Sequence, residues 1–126
     1  MGADALAASS STHNNTAVGY AALSSALTNA SSDNVAIGYR SMALANSYSS
    51  VAINSEAILL DQGQLNVAVG KESLTTNTSG ESNTAVGWRS LFNNNKGNAN
   101  TGPGRPGDVL QRERERKCRD RQFRVR

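Results

Sequence analysis

Residues 34–42, Asn34-Val35-Ala36-Ile37-Gly38-Tyr39-Arg40-Ser41-Met42, carry in nine positions the pattern that organises most of this 126-residue chain. The same order of residue types returns at Asn15-Thr16-Ala17-Val18-Gly19-Tyr20 with Leu23, at Asn66-Val67-Ala68-Val69-Gly70-Lys71 with Leu74, and at Asn83-Thr84-Ala85-Val86-Gly87-Trp88 with Leu91. A more divergent copy, Ser50-Val51-Ala52-Ile53-Asn54-Ser55 with Ile58, lies between them. Successive copies start 19, 16, 16 and 17 residues apart. That period is too short for most helical repeats and suits one coil of a parallel β-solenoid, an all-β fold.

Each position in the copy adds its own constraint. Positions 2 and 4 lie two residues apart, so on a strand they share a face, and they are filled by Thr, Val and Ile, which favour extended backbone. By that reasoning the face is the inner one, and Val18, Ile37, Ile53, Val69 and Val86 are the expected core. Position 3 is alanine in every copy, and on the opposite face it is expected to form a wall packed closely against another chain. Position 5 is Gly19, Gly38, Asn54, Gly70 or Gly87, the residue types that most readily accept positive φ, so the chain is expected to turn there. Leu23, Met42, Ile58, Leu74 and Leu91 at position 9 supply one larger apolar plug per coil. Asn54 in place of glycine, together with the apolar loop from Ile58 to Leu65, predicts a bulge in the third coil.

Position 6, immediately after the turn, reads Tyr20, Tyr39, Ser55, Lys71 and Trp88. If the coils stack, Tyr20, Tyr39, Lys71 and Trp88 form a column along the long axis, suited either to packing across a chain interface or to contact with a ligand. Arg40 and Arg89, one position later, suit either role. Polar connectors repeat a glycine three residues before an asparagine, at Gly63 and Asn66, Gly80 and Asn83, and Gly97 and Asn100. Asparagines stacked at equivalent corners are expected to hydrogen-bond backbone groups of the same or the next coil.

Composition narrows the function classes. Ser, Thr and Asn supply 38 residues and Ala 17, while aromatics are 5%, so whatever is buried is buried largely by small side chains. One His and one Cys do not make a zinc or iron site of ordinary ligand count, and Cys118 alone permits no intrachain disulfide. No cofactor, metal or catalytic residue is expected, and no reaction is assigned. His13 stands in a polar run with no partner arrangement for catalysis. No signal peptide is visible at the start of the chain, and no apolar run of 18 residues is present, so no membrane insertion is expected.

The blocks at 15–23, 34–42, 66–74 and 83–91 resemble the repeats of YadA-like head domains in trimeric autotransporter adhesins, and still more those of phage and viral tail fibres. The resemblance covers roughly residues 14 to 100. It implies a left-handed parallel β-roll, three chains packed side by side, and a structural or adhesive segment of a homotrimeric surface fibre on a virion or cell surface. A host-surface glycan or protein receptor is the partner it implies, with the head of a bacterial adhesin as the alternative to a tail fibre. An ice-binding solenoid would require regular threonine ranks, and position 2 reads Thr, Val, Val, Val, Thr.

Three segments are expected: an N-terminal extension over 1–13, five coils over 14–101, and a Pro/Gly break with a basic tail over 102–126. A sixth copy starts at Asn100-Thr101 and then has Gly102 for alanine and Pro103 for valine, and proline does not donate to a central ladder. The change of composition from Gly104 onward is what a shifted reading frame, a truncation or a recombined end would leave. Residues 105–126 hold nine Lys/Arg against four Asp/Glu, whereas residues 1–104 hold four against six. The tail is expected to be disordered. Glu113, Glu115 and Asp120 interrupt its positive field and Phe123 is its only aromatic, which argues against nucleic-acid binding. Gly102, Gly104 and Gly107 match a Gly-x-Gly-x-x-Gly pattern by chance, with Pro103 and Pro106 in the gaps. Asn14, Asn29 and Asn77 head Asn-x-Ser/Thr triplets, which arise freely in such a composition.

Overall fold

The computed structural model describes residues 2–7, 13–25 and 32–104. The basic tail over 105–126, expected to be disordered, therefore lies outside the described residues. Position 2 to position 4 of each copy forms a three-residue strand: β1 (Thr16–Val18), β2 (Val35–Ile37), β3 (Val51–Ile53), β5 (Val67–Val69) and β7 (Thr84–Val86). Two short strands, β4 (Leu60–Asp61) and β6 (Thr76–Asn77), form on the far wall, and β8 (Thr101–Pro103) follows β7. One parallel sheet runs β1-β2-β3-β5-β7-β8, and β4 pairs with β6 in a second. The fold is an all-β, short-coil parallel β-solenoid of about five turns.

The register stacks like on like, with Ala17, Ala36, Ala52, Ala68 and Ala85 aligned and Gly102 completing the rank. The third coil keeps this register on both sides, so no bulge forms. Asn54 holds φ 100° where its neighbours are glycines, and its side-chain oxygen accepts the Ser55 N–H at 2.8 Å, which offsets the cost of a Cβ there. A Cβ at Gly38 (φ 133°) would lie 2.6 Å from the Asn54 carbonyl carbon, so glycine is required by contact as well as by φ.

After position 5 the chain reverses, and the N–H of position 8 donates to the carbonyl of position 5, as from Ser73 to Gly70 at 3.2 Å. Positions 7 and 9 then adopt the left-handed region, for example Glu72 at φ 56° and Leu74 at 49°. This costs about 1–2 kcal/mol per residue in isolation. Here it directs alternate N–H groups to the two neighbouring coils: Glu72 donates back to Ser55 at 3.0 Å and Leu74 donates forward to Ser90 at 2.9 Å. Residues 2–7, expected as part of an extension, repeat this half-coil. Gly2 and Leu6 stand 17 residues before Gly19 and Leu23, Asp4 and Leu6 share φ 57°, and the Ala21 N–H donates to the Ala3 carbonyl at 2.9 Å.

The interior corrects the facing of the strands. Ala17 is 6% exposed and Ala36, Ala52, Ala68 and Ala85 are fully buried, whereas Val18, Ile37, Ile53 and Val86 are 36–51% exposed and Val69 is half-buried. The expected core residues therefore point out and the alanines point in. The reason lies on the opposite wall: Leu23, Met42, Ile58, Leu74 and Leu91 are buried and fill each layer from that side. Coils repeat about every 4.8 Å. Each layer then has room for one large side chain and a methyl, and a branched residue on the sheet wall would overfill it.

The asparagine corner behaves as expected. The side-chain oxygen of position 1 accepts the N–H of position 1 in the next coil, from Asn34 to Asn15 at 2.9 Å, Ser50 to Asn34 at 2.9 Å, Asn83 to Asn66 at 2.9 Å and Asn100 to Asn83 at 3.0 Å. At the divergent coil the Ser50 hydroxyl takes the same part, accepting the Asn66 N–H at 3.1 Å. The sixth strand also differs from expectation, because Thr101–Pro103 pairs in register with Thr84–Val86.

Candidate functional site

Alternation along the strand carries positions 2 and 4 to one outward face, and position 6 follows beyond the turn at position 5. Its centre is the rank Val18, Ile37, Ile53, Val69 and Val86, flanked by Thr16, Val35, Val51, Val67 and Thr84 on one side and by the position-6 column on the other. Positions 2 and 4 carry no charged residue in any of the strands β1, β2, β3, β5, β7 and β8. The face is continuous because the sheet is parallel and in register, and apolar because β-branched residues suit an extended strand whichever side they face. Taking six strands about 4.8 Å apart and three residues of strand at about 3.3 Å each, its projected area is on the order of 300 Å².

Tyr20, Tyr39, Lys71 and Trp88 at position 6 are exposed along one rim of this face, and Ser55 is partly buried. Tyr20 and Tyr39 stack, with ring centroids 5.7 Å apart and planes inclined by 13°. Ser55 interrupts the column, and beyond it Lys71 and the half-exposed Trp88 continue. The column is thus two aromatics, a gap, a cation and an indole, and the structure brings only the tyrosine pair into ring contact. Next to it runs a line of ion pairs at position 7: Arg40 to Glu56 at 3.4 Å and Arg89 to Glu72 at 3.3 Å, with Lys71 at 3.8 Å from Glu72. The Arg89 guanidinium also lies 4.2 Å above the Phe92 ring. These pairs are partly exposed, so each contributes little to stability, about 0–1 kcal/mol. Glu56 offsets Arg40, while Glu72 is shared between Lys71 and Arg89, so these groups leave the rim one net positive charge.

Inside the solenoid, a polar corner lies across from the alanine rank. Asp61, Asn77 and Asn94 occupy it in successive coils, all buried. Asp61 accepts the Gly63 N–H at 2.8 Å, the Asn77 amide at 2.7 Å and the Asn66 amide at 3.2 Å. Asn77 in turn donates to the Gly80 carbonyl at 2.6 Å and accepts the Gly80 N–H at 3.0 Å. Burial lifts the Asp61 carboxyl from 3.8 to about 6, against the opposing pull of the Gly63 N–H and of the Asn77 and Asn66 amides. Only donors face the carboxylate, so this corner is a structural hydrogen-bond network and offers no cation a ligand set. Among the described residues no three His, Cys, Asp or Glu side chains gather as metal ligands, and no helix is long and apolar enough to cross a membrane.

The remaining sequence motifs are dispersed. Asn77 is buried with its amide committed, so its triplet is closed to glycosylation in the folded chain, while the Asn14 amide donates to Asp33 at the surface at 2.9 Å. Asn29 and Gly107 lie outside the described residues, Gly102 sits within β8, and His13 is exposed. What the residue pattern missed is the outward valine-isoleucine rank. The constancy of alanine at position 3 was the available signal, since in a narrow coil the invariant small residue marks the inside. Comparison with protein-family models, with curated proteins and with solved structures gives no match.

Proposed function

We propose that this solenoid is a structural segment of a homotrimeric surface fibre, in which the face formed by positions 2 and 4 packs against the same face of two further copies. The observation that carries the reading is the uncharged Val/Ile rank held in register on the outside of the coil. Such a face meets no like-charge repulsion from a copy of itself, and stacked identical strands place equivalent residues at the same height in parallel chains. The resemblance of the repeat blocks to tail-fibre and adhesin-head repeats supports three copies, a virion or extracellular setting and a scaffold role without a reaction. In this reading Tyr20, Tyr39, Lys71 and Trp88 form the rim of the interface, and the exposed part of the column is where a glycan or protein receptor would touch.

Sedimentation equilibrium of the full chain, with circular dichroism on the same sample, tests this directly. A β-rich species of three times the 13.3 kDa chain mass is expected, converting to monomer on Ile53→Asp with the β signal retained. A folded monomer at all concentrations would rule out the outward face as a self-association surface.

A further inference from the structure

A parallel sheet of this kind offers a second copy two surfaces, its outward face and its open edge, and exposed edges are ready templates for strand addition. The edge at β8 has an unusual donor pattern. In each coil the N–H of position 2 points forward, from Thr16 to the Asn34 carbonyl at 2.8 Å, Val35 to Ser50 at 3.0 Å, Val51 to Asn66 at 2.8 Å, Val67 to Asn83 at 2.8 Å and Thr84 to Asn100 at 2.8 Å. The N–H of position 5 points backward, as from Gly38 to Val18 at 2.8 Å and Gly87 to Val69 at 2.7 Å. Donors alternate sides along an extended strand, so the N–H of position 4 also points forward.

In the last described strand position 4 is Pro103, aligned with Val86. Its missing N–H therefore costs the β7–β8 pairing nothing and is absent on the side that faces away from the sheet. Among the described residues β8 pairs with β7 alone. Thr101 repeats the residue of Thr84, and neither Thr101 nor Gly102 carries a charge, so no other edge guard stands on this strand. We propose that Pro103 is an edge stop: it blocks β8 from accepting a strand of a second copy, so that self-association proceeds side by side and not end to end. A strand added to β8 would bring its position-3 carbonyl against the pyrrolidine ring and leave that oxygen without a donor, which is why proline is confined to sheet edges. The side-by-side half of this statement rests on the proposed trimer face, and the edge-stop half does not.

The experiment is sedimentation velocity of the full chain over a concentration series, with negative-stain microscopy, for wild type, Pro103→Val, Pro103→Ala and Ile53→Asp. Pro103 is exposed, so both replacements leave the far-UV spectrum unchanged and both restore the donor. Both are expected to raise the weight-average mass at least about twofold over wild type, increasing with concentration into elongated particles. Unchanged mass in both variants overturns the edge stop, and so does growth in Pro103→Val alone, which would assign the effect to side-chain apolarity. Ile53→Asp reports on the outward face separately, because it does not touch β8: if the wild-type mass persists in that variant, the trimer face fails and the edge result stands unaffected.

Discussion

The two faces of a single strand, one bearing alanine and the other valine and isoleucine, invert the usual relation between size and burial. Ala52 is completely buried while Ile53, the next residue, is 36% exposed. What separates them is the wall opposite. The inner face shares each layer with a position-9 plug, so space is set by Ile58 or Leu74 and only a methyl remains. Among the described residues the outer face has no wall, so the branched residues there answer to strand propensity and to whatever packs from outside. Residue size therefore reports the room available, and hydrophobicity alone does not say which side is in.

The largest way to break the comparison is to empty the wall that sets it. Leu74→Ala removes a fully buried plug between Ile58 and Leu91, and collapse is limited because the alanine rank has nothing longer to offer. A loss of about 2–5 kcal/mol is expected, read from the shift in urea midpoint at unchanged slope. A loss below about 1 kcal/mol would mean that the layers are not independently filled. The converse test overfills the same space. Ala52→Leu adds three carbons between Ala36 and Ala68 and is expected to cost about 1–3 kcal/mol or more, whereas Ile53→Leu, one residue on, should be nearly neutral in thermal melts.

The polar corner sharpens the comparison because it shows what the interior does with a charge. Asp61 stands where the next two coils have Asn77 and Asn94, and its folded-state carboxyl is lifted to about 6 from 3.8. The folded chain then binds a proton more readily than the unfolded chain. This contribution to stability is fully present below pH 3.8, and it is lost as pH rises through about 6. Asp61→Asn is expected to stabilise the chain at pH 7.5 by about 1–2 kcal/mol, part of the gain being returned because the Asn66 amide loses an acceptor. Thermal melts should show the two proteins converging as pH falls toward 4, and a constant difference across that range would remove the carboxyl as its cause.

How much of this was legible in the residues depended on whether the signal was periodic or geometric. The turn at Gly19, Gly38, Gly70 and Gly87 follows from residue type and spacing, and so does the asparagine ladder, because both are local demands of the backbone. The burial of Leu23, Met42, Ile58, Leu74 and Leu91 was also legible, since one large apolar residue per coil has nowhere else to go. The facing of the strand was not. Val18, Ile37 and Val86 look like core by every local rule, and only the distance to the opposite wall, set by the fold as a whole, puts them outside. Pro103 misled for a related reason: proline is excluded from the middle of a sheet, and whether a strand is the middle or the edge depends on whether another strand pairs on its far side. Gly2 and Leu6 carried the repeat too weakly to be read, lacking the strand half that makes the other copies recognisable.

The smallest expected effect is on the outward face, and it separates stability from assembly. Ile37→Thr keeps a β-branched side chain at a position already 37% exposed, so in the folded single chain the change should stay within about 0.5 kcal/mol. In the proposed trimer the same substitution occurs three times at one height and removes apolar surface from the contact in each chain. The lost apolar burial weakens the contact by about 1 kcal/mol per chain. The expected outcome is therefore a concentration-dependent one: melting at low concentration matches wild type, and the sedimentation midpoint for association moves to higher concentration. Equal destabilisation at every concentration would place Ile37 in an intrachain core after all. A difference confined to high concentration makes the valine-isoleucine rank the surface for which the inward-facing alanines leave the outside of the strand free.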